Sequence, residues 1–184
     1  MRSKTHRRLV GLMYAALIAA LYVLFTHLSA AFGLASMAIQ IRISEAFCIL
    51  PIFTPWAIPG LWMGCLIANF TTGALPFDVL FGSLATLLGA VGARLLRRIP
   101  WLAPLPTVLA NAAIVPPVLI FVYGLEDAWW LLVLTVGAGE VLSAYVLGLV
   151  LWVSLRPVAH RIFPASLGGE RKKEKSTLRK TKED

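Results

Sequence analysis

Six apolar runs, at about residues 9–26, 44–54, 58–72, 77–96, 107–123 and 128–155, take up most of the chain. About 20 apolar residues cross the hydrocarbon core of a bilayer, and a single-domain soluble protein has no use for so many long runs back to back. With 184 residues, 59% of them hydrophobic, and a mean hydropathy of +0.80, the chain exceeds the 45–50% of an ordinary soluble domain. The excess calls for lipid as the solvent. The expected fold is all-α, an integral membrane bundle of six helices over residues 1–167, followed by a basic, solvated tail over 168–184. The second run is short and is cut by Pro51, Pro55 and Pro59, so it is expected to be kinked or only partly inserted. A cleaved signal peptide is the competing reading of residues 1–30, but the run that begins at Leu9 is long enough to span, and equally apolar runs follow it.

The formal charge of +8 does not indicate nucleic acid, because the basic residues gather at the two ends and at Arg94, Arg97 and Arg98 rather than interleaving with aromatics. Lysine and arginine favour cytoplasmic loops. Six crossings with both termini inside put every basic residue except Arg42 on that side; an odd number would strand one basic end. Cys48 and Cys65 lie within apolar runs without metal-ligand spacing and read as packing residues, and no metal or cofactor is expected. His6, His27 and His160 are scattered and read as surface residues. No phosphate loop or Ser-His-acid grouping points to catalysis.

Glu140 is the sharpest single feature. It lies about 12 residues into the last apolar run, and a carboxylate at that depth costs on the order of 3 kcal/mol unless a cavity or partner receives it. Asn69 and Asn111 are amides inside apolar helices; each either ties two helices together or lines a pocket with Glu140. Gln40, Arg42 and Ser44 alternate in the densest polar stretch of the outer side, which ends at Glu45. Arg42 either turns its fork to a ligand or pairs with Glu45. Asp78, just after Pro76, either caps a helix or faces the site. Trp129 and Trp130 fit an interfacial belt, with stacking on a bound ring as the alternative. Small residues recur at one-turn spacing: Ala15 with Ala19 and Ala16 with Ala20 in the first helix, Gly60 and Gly64 in the third, Gly89 and Ala93 in the fourth. Such stripes let helix backbones approach closely, within the bundle or against a partner subunit.

The stretch Gln40-Ile41-Arg42-Ile43-Ser44-Glu45-Ala46, then Leu50-Pro51, Gly64-Cys65-Leu66-Ile67-Ala68-Asn69, the run from Asp78 to Thr86, and Gly139-Glu140 together resemble the QueT family. These look like substrate-binding S-components of energy-coupling factor (ECF) transporters, associated with queuosine precursors. The resemblance implies a six-helix S-component that docks on a transmembrane T-component and two cytoplasmic ATPases, with an Ala-x-x-x-Ala stripe of the first helix, here Ala15/Ala19 or Ala16/Ala20, as the contact. It implies a gate in the loop over residues 29–42. It also implies a 7-deazaguanine ligand, queuine or its 7-aminomethyl precursor, held by a set drawn from Gln40, Arg42, Glu45, Asn69, Asp78, Asn111 and Glu140. Which acid takes which ligand group stays open. An S-component for another vitamin-like ring, a membrane enzyme using Glu140, and an assembly protein without a ligand are the rival readings.

Overall fold

The computed structural model describes residues 4–34, 40–124 and 128–163. Ser36, Glu126, Asp127 and the tail over 168–184 lie outside these, as does part of the expected gate loop, residues 35–39. The described residues are helical and contain no strand. Helix α1 runs over Lys4–Ala31, α2 over Ala57–Thr71, α3 over Pro76–Leu95 and α4 over Leu105–Phe121. The last stretch comprises α5 (Trp129–Glu140), a π-helical turn (Val141–Val146) and α6 (Leu147–Leu155), and a short α7 (Ala159–Ile162) follows it. Four stretches are long and apolar enough to cross a membrane: Thr5–Ala31, Pro76–Leu95, Pro100–Phe121 and Trp129–Leu155. The chain is therefore a multi-pass membrane protein. The two remaining apolar helices, Ile43–Ile52 and α2, are shorter.

Ile43–Ile52 departs most from expectation. It is a 3₁₀ helix of 10 residues with Pro51 inside it, and it sits in the middle of the bundle with Ser44, Glu45, Ala46, Cys48, Ile49, Leu50 and Pro51 buried. A 3₁₀ helix rises about 2 Å per residue, so ten residues stretch about 20 Å where an α-helix covers about 15 Å. Runs of this length are uncommon because the hydrogen bonds are poorer, so outside support is needed. At the C-terminal end Arg94 of α3 donates to the carbonyls of Pro51 (3.0 Å) and Ile52 (3.1 Å). At the N-terminal end Ser29 of α1 accepts from the Ile43 amide at 2.9 Å, and Thr26 donates to Ser44 at 2.8 Å. The three-residue repeat places Cys48 directly below Glu45, and its thiol donates to the carboxylate at 3.1 Å.

Glycines set the close helix contacts. A methyl on Gly60 would come within 2.7 Å of the Ala15 carbonyl, and one on Gly64 within 3.0 Å of the Ala19 Cα. A methyl on Gly89 would meet Thr107 Oγ1 at 2.5 Å. Lipid supplies no hydrophobic drive between helices, so this contact without intervening side chains is what holds α1 to α2 and α3 to α4. Ile18, Tyr22, Leu61, Cys65 and Ala68 fill the interior beside the 3₁₀ helix, and both cysteines are buried as free thiols. The outer surface is apolar instead: Met13, Phe70, Leu95 and Phe121 are each at least 70% exposed. Such a surface suits acyl chains, and would be anomalous on a soluble monomer.

Candidate functional site

The 3₁₀ helix and its extended lead-in bring one polar cluster together with residues of α3, α4 and α5. The lead-in is extended at Arg42 (φ −110°, ψ 106°). It is strapped down on both sides, by Ser29 of α1 as above and by Ser143 of the π turn, whose Oγ accepts from the Arg42 amide at 3.0 Å. The Gln40 carbonyl lies so close to Gly139 that a methyl there would approach it to 2.2 Å. Glycine is the residue that lets this strap seat.

Behind the strap is a cavity of about 40 Å³ lined by Gln40, Arg42, Glu45, Asp78, Asn111 and Glu140. Gly82, Thr86, Val115 and Val136 complete the lining. One water needs about 10–15 Å³ on this scale, so the space holds a few waters and is contracted relative to any bicyclic ligand. Six of the seven residues singled out in the sequence thus share one chamber. The seventh, Asn69, stands just behind it: its side-chain oxygen accepts from Arg42 Nη1 at 3.3 Å, and its amide reaches Cys65 Sγ at 3.6 Å.

The three acids differ in how they are held. Glu45 is buried, accepts from the Tyr22 hydroxyl on Oε1, and accepts from Cys48 on Oε2. Arg42 turns to Asn69 rather than forming the alternative ion pair with Glu45. Asp78, in the first turn of α3, accepts from the Tyr123 hydroxyl at 3.0 Å. Partial burial and this carboxylate push the Tyr123 phenol above its ordinary range, so it stays protonated and donates. Asp78 does not act as a side-chain cap; the N-cap position is Leu75. Glu140 sits at the end of α5 with Asn111 beside it, and its Oε2 is buried without a hydrogen-bond partner.

Residue spacing accounts for the lining residues that were not singled out individually. Gly82 and Thr86 follow Asp78 at successive turns of α3, Val115 follows Asn111 by one turn, and Val136 precedes Glu140 by one. Tyr22, Gly139 and Ser143 shape the site from behind; of these Tyr22 gave no signal, whereas Gly139 stands in the Gly139-Glu140 stretch and Ser143 falls on the Glu140 face of the last run. Trp129 and Trp130, about 60% exposed, sit at the start of α5 away from the lining, in keeping with an interfacial belt. His27 is exposed and reaches Thr71 Oγ1 at 2.9 Å.

The QueT transporter family matches residues 12–157, which covers every lining residue. The chain belongs to the QueT transporter family. Membership makes it a transport protein rather than an enzyme. No curated protein and no solved structure matches the chain.

The same geometry divides the small-residue stripe of α1. Ala15 and Ala19 are half-buried and face Gly60 and Gly64 of α2. Ala16 and Ala20 are exposed, between the exposed Leu12, Met13, Leu17 and Leu24. Of the two pairs expected at a partner, Ala15/Ala19 is occupied within the chain, since α2 needs that face for its own close approach.

Proposed function

We propose that this QueT family member is the substrate-binding S-component of an ECF-type importer, and that its cargo is a 7-deazaguanine such as queuine or its 7-aminomethyl precursor. One observation carries the reading: a buried carboxylate oxygen of Glu140 has no partner, in a chamber whose other walls offer amides and a guanidinium. A buried carboxyl oxygen left without a hydrogen-bond partner costs about 1–3 kcal/mol, so something must answer it in the working state. The guanine-like edge of a 7-deazaguanine presents adjacent N–H donors, which one carboxylate accepts in bidentate fashion. Asn111 and Gln40 flank that position and can serve ring nitrogens, while Arg42 suits the ring carbonyl.

In this reading residues 1–167 cross the cell membrane six times as the binding domain, with both termini and the tail over 168–184 in the cytoplasm. The two short helices, Ile43–Ile52 and α2, form the second and third crossings. Ten residues in 3₁₀ form reach about 20 Å, about two thirds of the roughly 30 Å hydrocarbon core, and their burial within the bundle shields them from lipid. Energy comes from two ATPases through a T-component, which meets α1 along Ala16 and Ala20. The ligand enters as Gln40–Arg42, the end of the expected gate, lifts from Gly139 and Ser143.

Thermal unfolding of the purified chain in lipid nanodiscs tests the cargo. A ligand at 100 times its dissociation constant adds about 2.7 kcal/mol. Queuine or 7-aminomethyl-7-deazaguanine is expected to raise the midpoint, and thiamine and pyridoxine are expected to leave it unchanged. Stabilisation by the pyrimidine or pyridine instead would reject the deazapurine, and a chamber that responds to none of them would reject the binding role.

A further inference from the structure

Asn69 belongs to the polar cluster but does not line its chamber. It sits on α2, 1% exposed, with both ends of its side chain engaged. Oδ1 accepts from Arg42 Nη1 at 3.3 Å, and Nδ2 reaches Cys65 Sγ at 3.6 Å. A guanidinium only donates, so the amide must turn its oxygen to Arg42 and its nitrogen to the sulfur. Cys65 in turn lies 3.2 Å from Thr86 Oγ1 on α3. The amide also needs the missing side chain of Gly82, where a methyl would come within 2.9 Å of Nδ2. Asn69 is thus wedged between α2 and α3. The Arg42 backbone amide is pinned separately, to Ser143 of the π turn at 3.0 Å. Arginine is long and rich in rotamers, and this one is held at both ends.

We infer that Asn69 is a positioning residue: without touching the cargo, it aims the Arg42 guanidinium at the cargo's ring oxo group and so sets a preference for oxygen at that place. The inference rests on the transport reading, in which Arg42 serves the ring carbonyl. Asn69 occupies one of the several donors of the fork and leaves others for the chamber that Arg42 lines. A donor discriminates between acceptors only if it cannot move. Held at the distance that suits a carbonyl oxygen, the guanidinium meets a bulkier and weaker acceptor, such as a thiocarbonyl, with a clash and a poorer hydrogen bond. Released from Asn69, the same guanidinium retreats and accommodates either atom. Specificity is a difference of affinities and is built from what the wrong ligand loses as much as from what the right one gains. Support from a second residue is what keeps such a donor in place. Direct contact with the cargo is the other role open to a polar residue here, and it would require the amide to leave Arg42 or Cys65.

The test compares 7-deazaguanine with 6-thio-7-deazaguanine, which keep the same N–H edge for Glu140 and differ only at the ring acceptor, by equilibrium binding to the full chain in lipid nanodiscs. The unaltered chain is expected to prefer oxygen by at least about tenfold, the scale of one charge-assisted hydrogen bond. Asn69→Leu and Asn69→Ala remove the acceptor and are expected to bring the two affinities close to equal; two variants are used so that one folding failure does not decide the matter. Asn69→Asp keeps an oxygen toward Arg42 and lets the Cys65 thiol donate to the other, so it is expected to retain the preference. A merely structural loss weakens both probes alike and leaves their ratio unchanged, so an unchanged ratio in the folded Leu or Ala variant would overturn the positioning role. Loss of the ratio in a folded Asn69→Asp variant would overturn it too. Equal affinities for the unaltered chain would overturn the selectivity and leave the transport reading standing. Binding of neither probe would overturn the transport reading and this inference together.

Discussion

The Tyr22 hydroxyl of α1 donates to Oε1 of Glu45 on the 3₁₀ helix, deep in the bundle, and this contact separates a structural acid from a recognition acid. With Cys48 on its other oxygen, both oxygens of Glu45 already accept a hydrogen bond within the bundle. Tyr22→Phe keeps the ring packing and removes only the donor, leaving a buried carboxylate oxygen unanswered. The cost is about 1–3 kcal/mol. A lower unfolding temperature is expected, with deazapurine affinity of the folded fraction changed much less than by loss of the Glu140 charge. An unchanged melting temperature would show that the contact does not support the fold.

Glu140→Gln should act in the opposite sense. The amide keeps the shape of the side chain but removes a carboxyl group whose Oε2 is buried without a hydrogen-bond partner. Affinity for the deazapurine should fall by about 1.5 kcal/mol or more, the scale of one charge-assisted hydrogen bond and roughly tenfold in the dissociation constant. The melting temperature of the empty protein should hold or rise. Unchanged affinity by isothermal titration would take Glu140 out of the site.

The sequence made the polar lining legible because Asn111 and Glu140 stood alone in apolar runs, where their cost demands a reason, while Gln40, Arg42 and Glu45 formed the densest polar stretch and Asp78 opened a helix. All six were recognisable on those grounds, and helix spacing extends the set to Gly82 and Thr86. Backbone form was not legible. The 3₁₀ path of Ile43–Ile52 depends on Arg94, about 40 residues later, reaching back to its last carbonyls, and the π turn after Glu140 lies in an unbroken apolar pattern that reads as α-helix. The role of Glu45 was equally hidden, since Tyr22 reads as one more aromatic in a lipid-facing run. Burial against distant neighbours decides such features, and periodicity carries no record of it.

Gly139 predicts a kinetic effect. An alanine methyl would meet the Gln40 carbonyl at 2.2 Å, and that atom is backbone, so the strap must move rather than a side chain rotate. Displacing it also strains the bond from the Arg42 amide to Ser143 Oγ. Gly139→Ala should speed hydrogen exchange at the Arg42 amide and raise the ligand off-rate by about tenfold or more, with the outer apolar surface unaltered. Stopped-flow dissociation and exchange mass spectrometry read the two effects separately. If both rates match the unaltered chain, Gln40–Arg42 is not the moving part of the gate.

The stripe on α1 yields a prediction with two arms, because its alanines look in different directions. Ala19 faces Gly64, whose missing side chain lets the two backbones touch, so leucine at 19 has no room and should lower the unfolding temperature of the isolated chain. Ala16 and Ala20 open outward among exposed leucines, so leucine there replaces lipid contact with lipid contact and should leave the isolated chain as stable as before. If a T-component helix packs on this face, the added bulk blocks the close backbone approach that small residues permit. Ala16→Leu and Ala20→Leu should then abolish co-purification with the T-component and ATPases while deazapurine binding by the isolated chain is retained. Normal assembly by both variants would move the docking face off α1. Loss of binding along with loss of assembly would mean that this face supports the fold instead of a partner.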